Sequence, residues 1–296
     1  MNGNPMEQKK GEQDFQIDTL LRPDNWDSYI GQERIKANVK IMIEAAQKRG
    51  ERPDHLLFYG PQGLGKTTIA NLIAKEMGAQ LRITSGVNLE KTGDLVSTLA
   101  NLEEGDILFV DEAHRINRTI EEILYPAMES RKLHMMVGKG PAARQLTLDL
   151  PAFTLIAATT RVNLLSAPLR SRFGAIFSMD YYEQAHIEEI IRRSAGILGL
   201  QIESGAVASI AEMLEIDELG LEKWDRKLLE SIIKKFKGGP VGLNTLVAIL
   251  GEDKGTVEEI YEPFLIKMGL LQKTPSGRVV TDEAYDHLNL RQFKVQ

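Results

Sequence analysis

The chain has no cysteine, so disulfides and thiolate catalysis are excluded, and a reducing cytoplasm is the compartment this composition suits. Histidine is scarce too. The five present show no ligand spacing, so no structural metal is expected. No apolar run reaches transmembrane length, and the polar N-terminus does not read as a signal peptide, so no membrane association is expected. Positive charge is not in excess: 36 Lys and Arg stand against 42 Asp and Glu, a net charge of −6. Nothing draws the whole molecule to nucleic acid, and any DNA contact has to be local. What remains is an ordinary globular composition, 43% hydrophobic and 26% charged over 296 residues, enough chain for roughly two or three domains.

The most informative stretch is Gly60-Pro61-Gln62-Gly63-Leu64-Gly65-Lys66-Thr67-Thr68. It follows an apolar strand-like run, His55–Tyr59, and opens a helical pattern that continues to Met77. That context makes the glycine-rich loop a phosphate cradle. Glycines let the backbone approach closely, and the freed N–H groups with the helix N-terminus form an anion nest. Lys66 is placed to reach the β- and γ-phosphates, and the Thr67 hydroxyl to ligate Mg²⁺. The site is therefore expected to take ATP with Mg²⁺. Upstream, Leu21-Arg22-Pro23 and Trp26–Gln32, with Tyr29 and Ile30, read either as a wall of the base pocket or as a chain entry packed on the core. A helix is expected over Glu33–Arg49.

Downstream, Gln80–Thr84 reads as a second strand, and Ile107–Val110 as a buried strand ending in Asp111-Glu112. Two carboxylates at the C-terminal edge of a parallel strand suit a metal-holding acid, Asp111, and a general base for water, Glu112. After a helix over Thr119–Met128, Lys132–Val137 and Arg144–Leu150 flank the turn-rich Gly138–Pro141, a hairpin pattern. Its apolar residues Leu133, Met136, Val137, Leu146 and Leu148 serve either core packing or a docking surface for a partner. A strand over Phe153–Ala158 then delivers the hydroxyls of Thr159 and Thr160. Arg170 and Arg172 follow, either as surface ion-pair formers or as a finger completing a neighbouring subunit's site.

From Trp224 the pattern changes to three short helices, Trp224–Phe236, Leu243–Leu250 and Thr256–Met268, then two short strands around Thr274–Gly277. This is the pattern of a winged helix. Eleven basic against ten acidic residues leave it nearly neutral. Glu258, Glu259 and Glu262 argue against groove entry by the third helix, so Lys273 and Arg278 near the wing are the expected phosphate contacts. A winged helix used only for packing is the alternative.

Together these residues resemble the AAA+ ATPases and, within them, the RuvB family of bacterial Holliday-junction branch-migration motors. The resemblance runs from about Leu21 to Leu288 through Gly60–Thr68, Asp106–Arg115, Leu124–Glu129, Gly138–Pro141, Ala158–Arg161, Pro168–Gly174 and Gly238–Leu243. It implies an α/β fold: an AAA+ P-loop parallel-sheet core over 21–179, a helical lid over 180–221 and a winged-helix DNA-binding domain over 222–296, after a flexible tail over 1–20. It implies a homo-hexameric ring on duplex or Holliday-junction DNA, RuvA docked on the hairpin, and RuvC resolvase as a further partner. It assigns Thr160 as the polar sensor, Arg172 as the trans finger with Arg170 beside it, and Tyr182 near the adenine. Gln62 stands where the family usually has proline, and Ser276 where it usually has arginine. Between Ala206 and Asp217 the lid is shortened, and the arginine that serves as second sensor in the family has no counterpart. An ATP-binding assembly module with little turnover is therefore the alternative to a motor. Clamp-loader ATPases share the core motifs, but the hairpin and winged helix argue against them.

Overall fold

The computed structural model describes residues 17, 19–137, 144–213, 217, 219–252 and 254–294. Of the expected tail over 1–20, residues 1–16 and 18 lie outside the described residues while Ile17, Thr19 and Leu20 are helical, and the hairpin tip Gly138–Pro141 also lies outside the described residues. The chain divides into two compact units, one reaching Tyr182 and including His186–Val207, the other comprising Glu183–Ala185 and Ala208–Gln296.

The first unit is built on a five-stranded parallel sheet. Its strands are β1 (Leu56–Tyr59), β2 (Leu81–Ser85), β3 (Ile107–Asp111), β6 (Thr154–Thr159) and β7 (Ala175–Ser178), in the order β2-β3-β6-β1-β7. Alternation along each strand explains the unbroken apolar runs. Leu57, Leu108 and Leu155 face one core, while Leu56, Phe58, Phe109 and Ile156 face the other. Helix α1 (Glu33–Arg49) and helix α2 (Lys66–Glu76) cover the second face through Val39, Ile43, Ile69 and Ile73. Helix α3 (Thr92–Ala100) and helix α4 (Arg118–Ser130) cover the first through Leu95, Leu99, Ile120 and Leu124. Strand β7 has only a three-residue apolar run, Ala175-Ile176-Phe177. It is a short edge strand with Ile176 44% exposed, so alternation there is too weak to read from sequence.

Helix α4 ends at Arg131 in the left-handed region and leads directly into the antiparallel hairpin of β4 (Lys132–Val137) and β5 (Arg144–Asp149). The hairpin is present as expected, but its apolar residues divide. Leu133 is fully buried in the core cluster beneath the sheet, so it is a packing residue and not a docking residue. Leu146 and Leu148 are 51% and 37% exposed. The Met136 and Val137 side chains lie outside the described residues. Beyond the sheet, helix α5 (Ala167–Arg170) precedes β7, followed by helix α6 (Gln184–Ile197) and helix α7 (Ser204–Met213).

In the second unit, helix α8 (Lys223–Phe236) and helix α9 (Leu243–Leu250) pack Leu228, Ile232 and Leu246 around one core. A third helical run, α10, joins Lys254–Thr256, a π-turn at Val257–Tyr261 and Glu262–Lys267. Strands β8 (Leu271–Thr274) and β9 (Gly277–Val280) form the wing, extended by a bridge from Val241 to Arg278, and helix α11 (Asp282–His287) closes the unit. Among the described residues no helix is long and apolar enough to cross a membrane.

Candidate nucleotide site

The loop between β1 and α2 sits at the C-terminal edge of the sheet, where parallel strands leave a crevice. Gly65 is the N-cap of α2 with φ 87°, and a Cβ there would lie 2.6 Å from the Tyr29 hydroxyl. Only glycine lets the helix start this close to Tyr29. Tyr29 and Tyr182 both donate to the Leu64 carbonyl at 3.3 Å, locking the loop from two directions. Burial pushes the pKa of both phenols up, so both hydroxyls stay protonated donors.

A cavity of about 640 Å³ opens over this loop. The expected ligands Leu21, Arg22, Tyr29, Ile30, Gly63, Gly65, Lys66, Thr67, Thr68 and Tyr182 line it, together with Asp111, Glu112 and Thr160. Leu64 is buried behind the lining. Lys66 donates to the Gly60 carbonyl at 2.8 Å and also to that of Pro61. Burial pushes its pKa down to about 8, against the pull of Asp111 and Glu112. An ammonium held by two carbonyls is ready to exchange them for phosphate oxygens.

Asp111 ends β3 and accepts from the Glu112 N–H at 2.8 Å. Glu112 sits in the left-handed region, with φ 49°, a strained backbone that turns its carboxylate out of the strand line. One of its oxygens lies 3.5 Å from Gln62 Nε2, the other 3.8 Å from His114 Nε2. His114 Nδ1 in turn lies 2.9 Å from Thr159 Oγ1. Burial lowers the His114 pKa, with Glu112 opposing, so the imidazole is neutral at pH 7. Thr67 and Asp111 supply hard oxygens suited to Mg²⁺, but no group of three or more acidic or histidine side chains that could hold a metal exists among the described residues. Such a pair fits a cation that brings phosphate and water as its other ligands.

Sequence reading missed Ile190, Arg193 and Ser194, which line the cavity from α6. Arg193 donates to the Ser28 carbonyl at 2.5 Å and to the Leu21 carbonyl, tying α6 to the segment expected at the base. No motif spacing marks it, because its partners are main-chain atoms far away in sequence. Arg170 and Arg172 do not line this cavity. Arg172 rests instead on Tyr125 and Glu129.

The model of the Holliday junction DNA helicase RuvB P-loop domain matches residues 21–179, and that of the RuvB C-terminal winged helix domain matches residues 218–289. The chain belongs to the RuvB family. A Holliday junction branch migration complex subunit RuvB from Fusobacterium nucleatum is 48% identical, covering 95% of this chain and 96% of that one. The structure of the Thermotoga maritima RuvB Holliday junction branch migration motor superposes with a TM-score of 0.73 at 41% identity, covering 91% of this chain and 98% of that one. An alanine-to-serine variant of the same motor gives a TM-score of 0.74, also at 41% identity and with the same coverage. The family makes this chain a nucleotide-binding P-loop ATPase with a C-terminal winged helix. The alignment to the Fusobacterium relative runs over 320 positions but takes in only 95% of a 296-residue chain, so about forty positions have no residue here. Both family models leave 180–217 uncovered, the region where the sequence reads as shortened.

In the winged helix, placement differs from expectation. Arg278 is 9% exposed and faces inward, with Nε and Nη2 both on the carboxylate of Glu262, itself 2% exposed. Its guanidinium is committed to this pair and is not presented to phosphate. Glu262, for its part, is not a carboxylate facing DNA, so it carries no weight against groove entry. Lys273 is exposed on the wing, 3.8 Å from Glu258. The side chain of Glu259 lies outside the described residues.

Proposed function

We propose that the protein is an ATP-driven motor of Holliday-junction branch migration, acting as a hexameric ring on duplex DNA with RuvA. The observation that carries this reading is the single cavity that gathers Lys66, Thr67, Asp111, Glu112 and Thr160. Lys66 and the loop N–H groups hold the β- and γ-phosphates, and Thr67 and Asp111 hold Mg²⁺. The metal, when bound, neutralises charge developing between those phosphates. Glu112 takes the proton of the attacking water, Thr160 orients that water, and the cavity wall of Tyr29, Tyr182 and Arg193 fixes the nucleotide. Arg172 of the next subunit completes the site. Its absence from the cavity of its own subunit supports a role in trans. The exposed hairpin residues Leu146 and Leu148 suit a RuvA docking surface, and Lys273 suits a phosphate contact on the wing. A bacterial cytoplasmic location and cooperation with RuvC belong to the same reading.

The missing segment favours one second reading, a nucleotide-gated assembly module with little turnover. Steady-state ATP hydrolysis with and without DNA and RuvA, run beside direct ATP binding, separates the two. Stimulated turnover that Glu112→Gln removes by roughly 100-fold or more, with binding kept, supports the motor. Tight binding without turnover supports the module. Lys66→Ala abolishes binding in either case.

A further inference from the structure

Three residues of α4, Glu121, Tyr125 and Glu129, are spaced four apart and so lie on one helix face. That face is turned toward the Ser166–Arg172 turn, which carries the arginine assigned above to the neighbouring site. Each of the three holds a different part of it. The carboxylate of Glu121, 3% exposed, accepts from the Ser166 N–H at 3.3 Å and from the Tyr125 hydroxyl at 3.4 Å. The Tyr125 hydroxyl shares a hydrogen bond of 2.9 Å with Ser166 Oγ, and Ser166 Oγ caps α5 by accepting from the Leu169 N–H at 3.2 Å. Above the Tyr125 ring the Arg172 guanidinium lies 4.4 Å from the centroid.

Arg172 makes two further contacts, one with its own turn and one with Glu129. Arg172 Nη1 donates to the Pro168 carbonyl at 2.5 Å, which sets its reach along the turn. Arg172 Nε is 3.0 Å from a Glu129 oxygen, yet as a hydrogen-bond donor it is left without a partner, so the pair is close but misaligned. Glu129 is 58% exposed on its side chain and free to move aside. Tyr125 is fixed at its hydroxyl by a buried carboxylate and by the cap of the arginine's own turn.

We propose that Tyr125 is the positioning residue of the trans arginine: its anchored ring is the shelf that aims Arg172 at the neighbouring subunit's nucleotide. This rests on the reading of Arg172 as the finger, and it goes beyond that reading by naming what orients it. The chemistry is that of a cation over an aromatic face, which fixes the plane of the guanidinium while leaving its edge N–H groups for phosphate oxygens.

The test uses full-length rings with mixed subunits. Arg172→Ala subunits mixed with Glu112→Gln subunits recover turnover if the finger acts in trans; without recovery, the finger reading itself falls, and the shelf with it. Given recovery, Tyr125→Leu rings should lose roughly 10- to 100-fold in kcat with little change in the KM for ATP. They should also be rescued by Glu112→Gln subunits, which supply an intact shelf and finger. A loss without rescue means that Tyr125 serves only its own subunit, and no loss means that it aims nothing; either overturns the shelf and leaves the finger standing. Should Tyr125→Leu not fold, Tyr125→Phe is read instead. It keeps the ring and cuts the tie to Ser166, so a rescued drop in kcat supports the proposal and an unchanged kcat overturns it. Where turnover is too slow to follow, release of a fluorescent ATP analogue from Glu112→Gln rings is the readout. Tyr125→Leu and Arg172→Ala should each speed release, and together no more than Arg172→Ala alone; additive effects would overturn the shelf.

Discussion

Arg278 on the wing and Glu262 on α10 form a bidentate ion pair with both partners buried. Removing one partner leaves a buried charge uncompensated, which typically costs about 3–5 kcal/mol. Arg278→Met should destabilise the winged helix by that order. The double change Arg278→Met with Glu262→Leu should recover most of the loss, because an apolar pair of similar volume replaces the ions. Urea unfolding of the four-member cycle is the measurement. Near-additive losses would show that the two side chains do not act as a pair.

Gly31 lies against the ring of Tyr182, which lines the cavity. Gly31 has φ +75°, and a Cβ there would lie 2.7 Å from the Tyr182 ring. Gly31→Ala should therefore push Tyr182 off the Leu64 carbonyl and weaken ATP binding by about 1–2 kcal/mol, a combination of backbone strain and the displaced wall. Isothermal titration with ATP would check it. Unchanged affinity would mean that Tyr182 does not border the bound nucleotide.

Asp225, at the third position of α8, is fully buried and accepts from the Glu222 N–H at 3.0 Å, while its other oxygen has no partner. Burial pushes its pKa up to about 7 from 3.8, against the Glu222 N–H, with the charges of Glu222 and Asp217 adding to the rise. Its folded-state pKa lies above the unfolded one, so the folded state takes up a proton between these values. Stability then falls as pH rises through that window and stays lowered above it. Asp225→Asn should stabilise the second unit by roughly 2 kcal/mol at pH 8, with the gain shrinking toward pH 4. Trp224 fluorescence in a Trp26→Phe background reports on that unit. A gain that does not change with pH would assign the effect to something other than this carboxyl.

Leu146 and Leu148 are exposed on the hairpin, whereas Leu133, directly opposite Leu148 on the same face, is buried in the core. Leu146→Asp with Leu148→Asp should abolish RuvA binding while leaving basal ATP binding and thermal stability close to wild type. Leu133→Asp should instead unfold the first unit, since it buries an unpaired charge. Pull-down with RuvA beside a thermal melt separates these outcomes. Retained binding in the Leu146 and Leu148 variant would place the docking surface elsewhere.

Much of the nucleotide site was legible in the sequence because its parts are local. Gly60–Thr68 is one contiguous loop whose flanking strand and helix follow from apolar periodicity, and Asp111-Glu112 closes a buried run of four apolar residues. Strands buried on both faces leave unbroken hydrophobic signatures, while their order in the sheet, β2-β3-β6-β1-β7, is set by tertiary pairing. By itself the sequence therefore determined the fold class, the P-loop chemistry and the winged helix, since each is written in short-range pattern. It did not determine which way a side chain points once distant segments meet. The commitment of Arg278 to Glu262, the burial of Leu133, the bracket of Gln62 and His114 around Glu112, the tie of Arg193 to Leu21 and Ser28, and the shelf of Tyr125 under Arg172 were decided by tertiary structure alone. The pairs Arg278–Glu262, Gln62–Glu112, Arg193–Ser28 and Tyr125–Arg172 join residues at separations that no local periodicity encodes. Burial and partner choice are properties of the packed molecule, set by what surrounds a group and not by its neighbours along the chain.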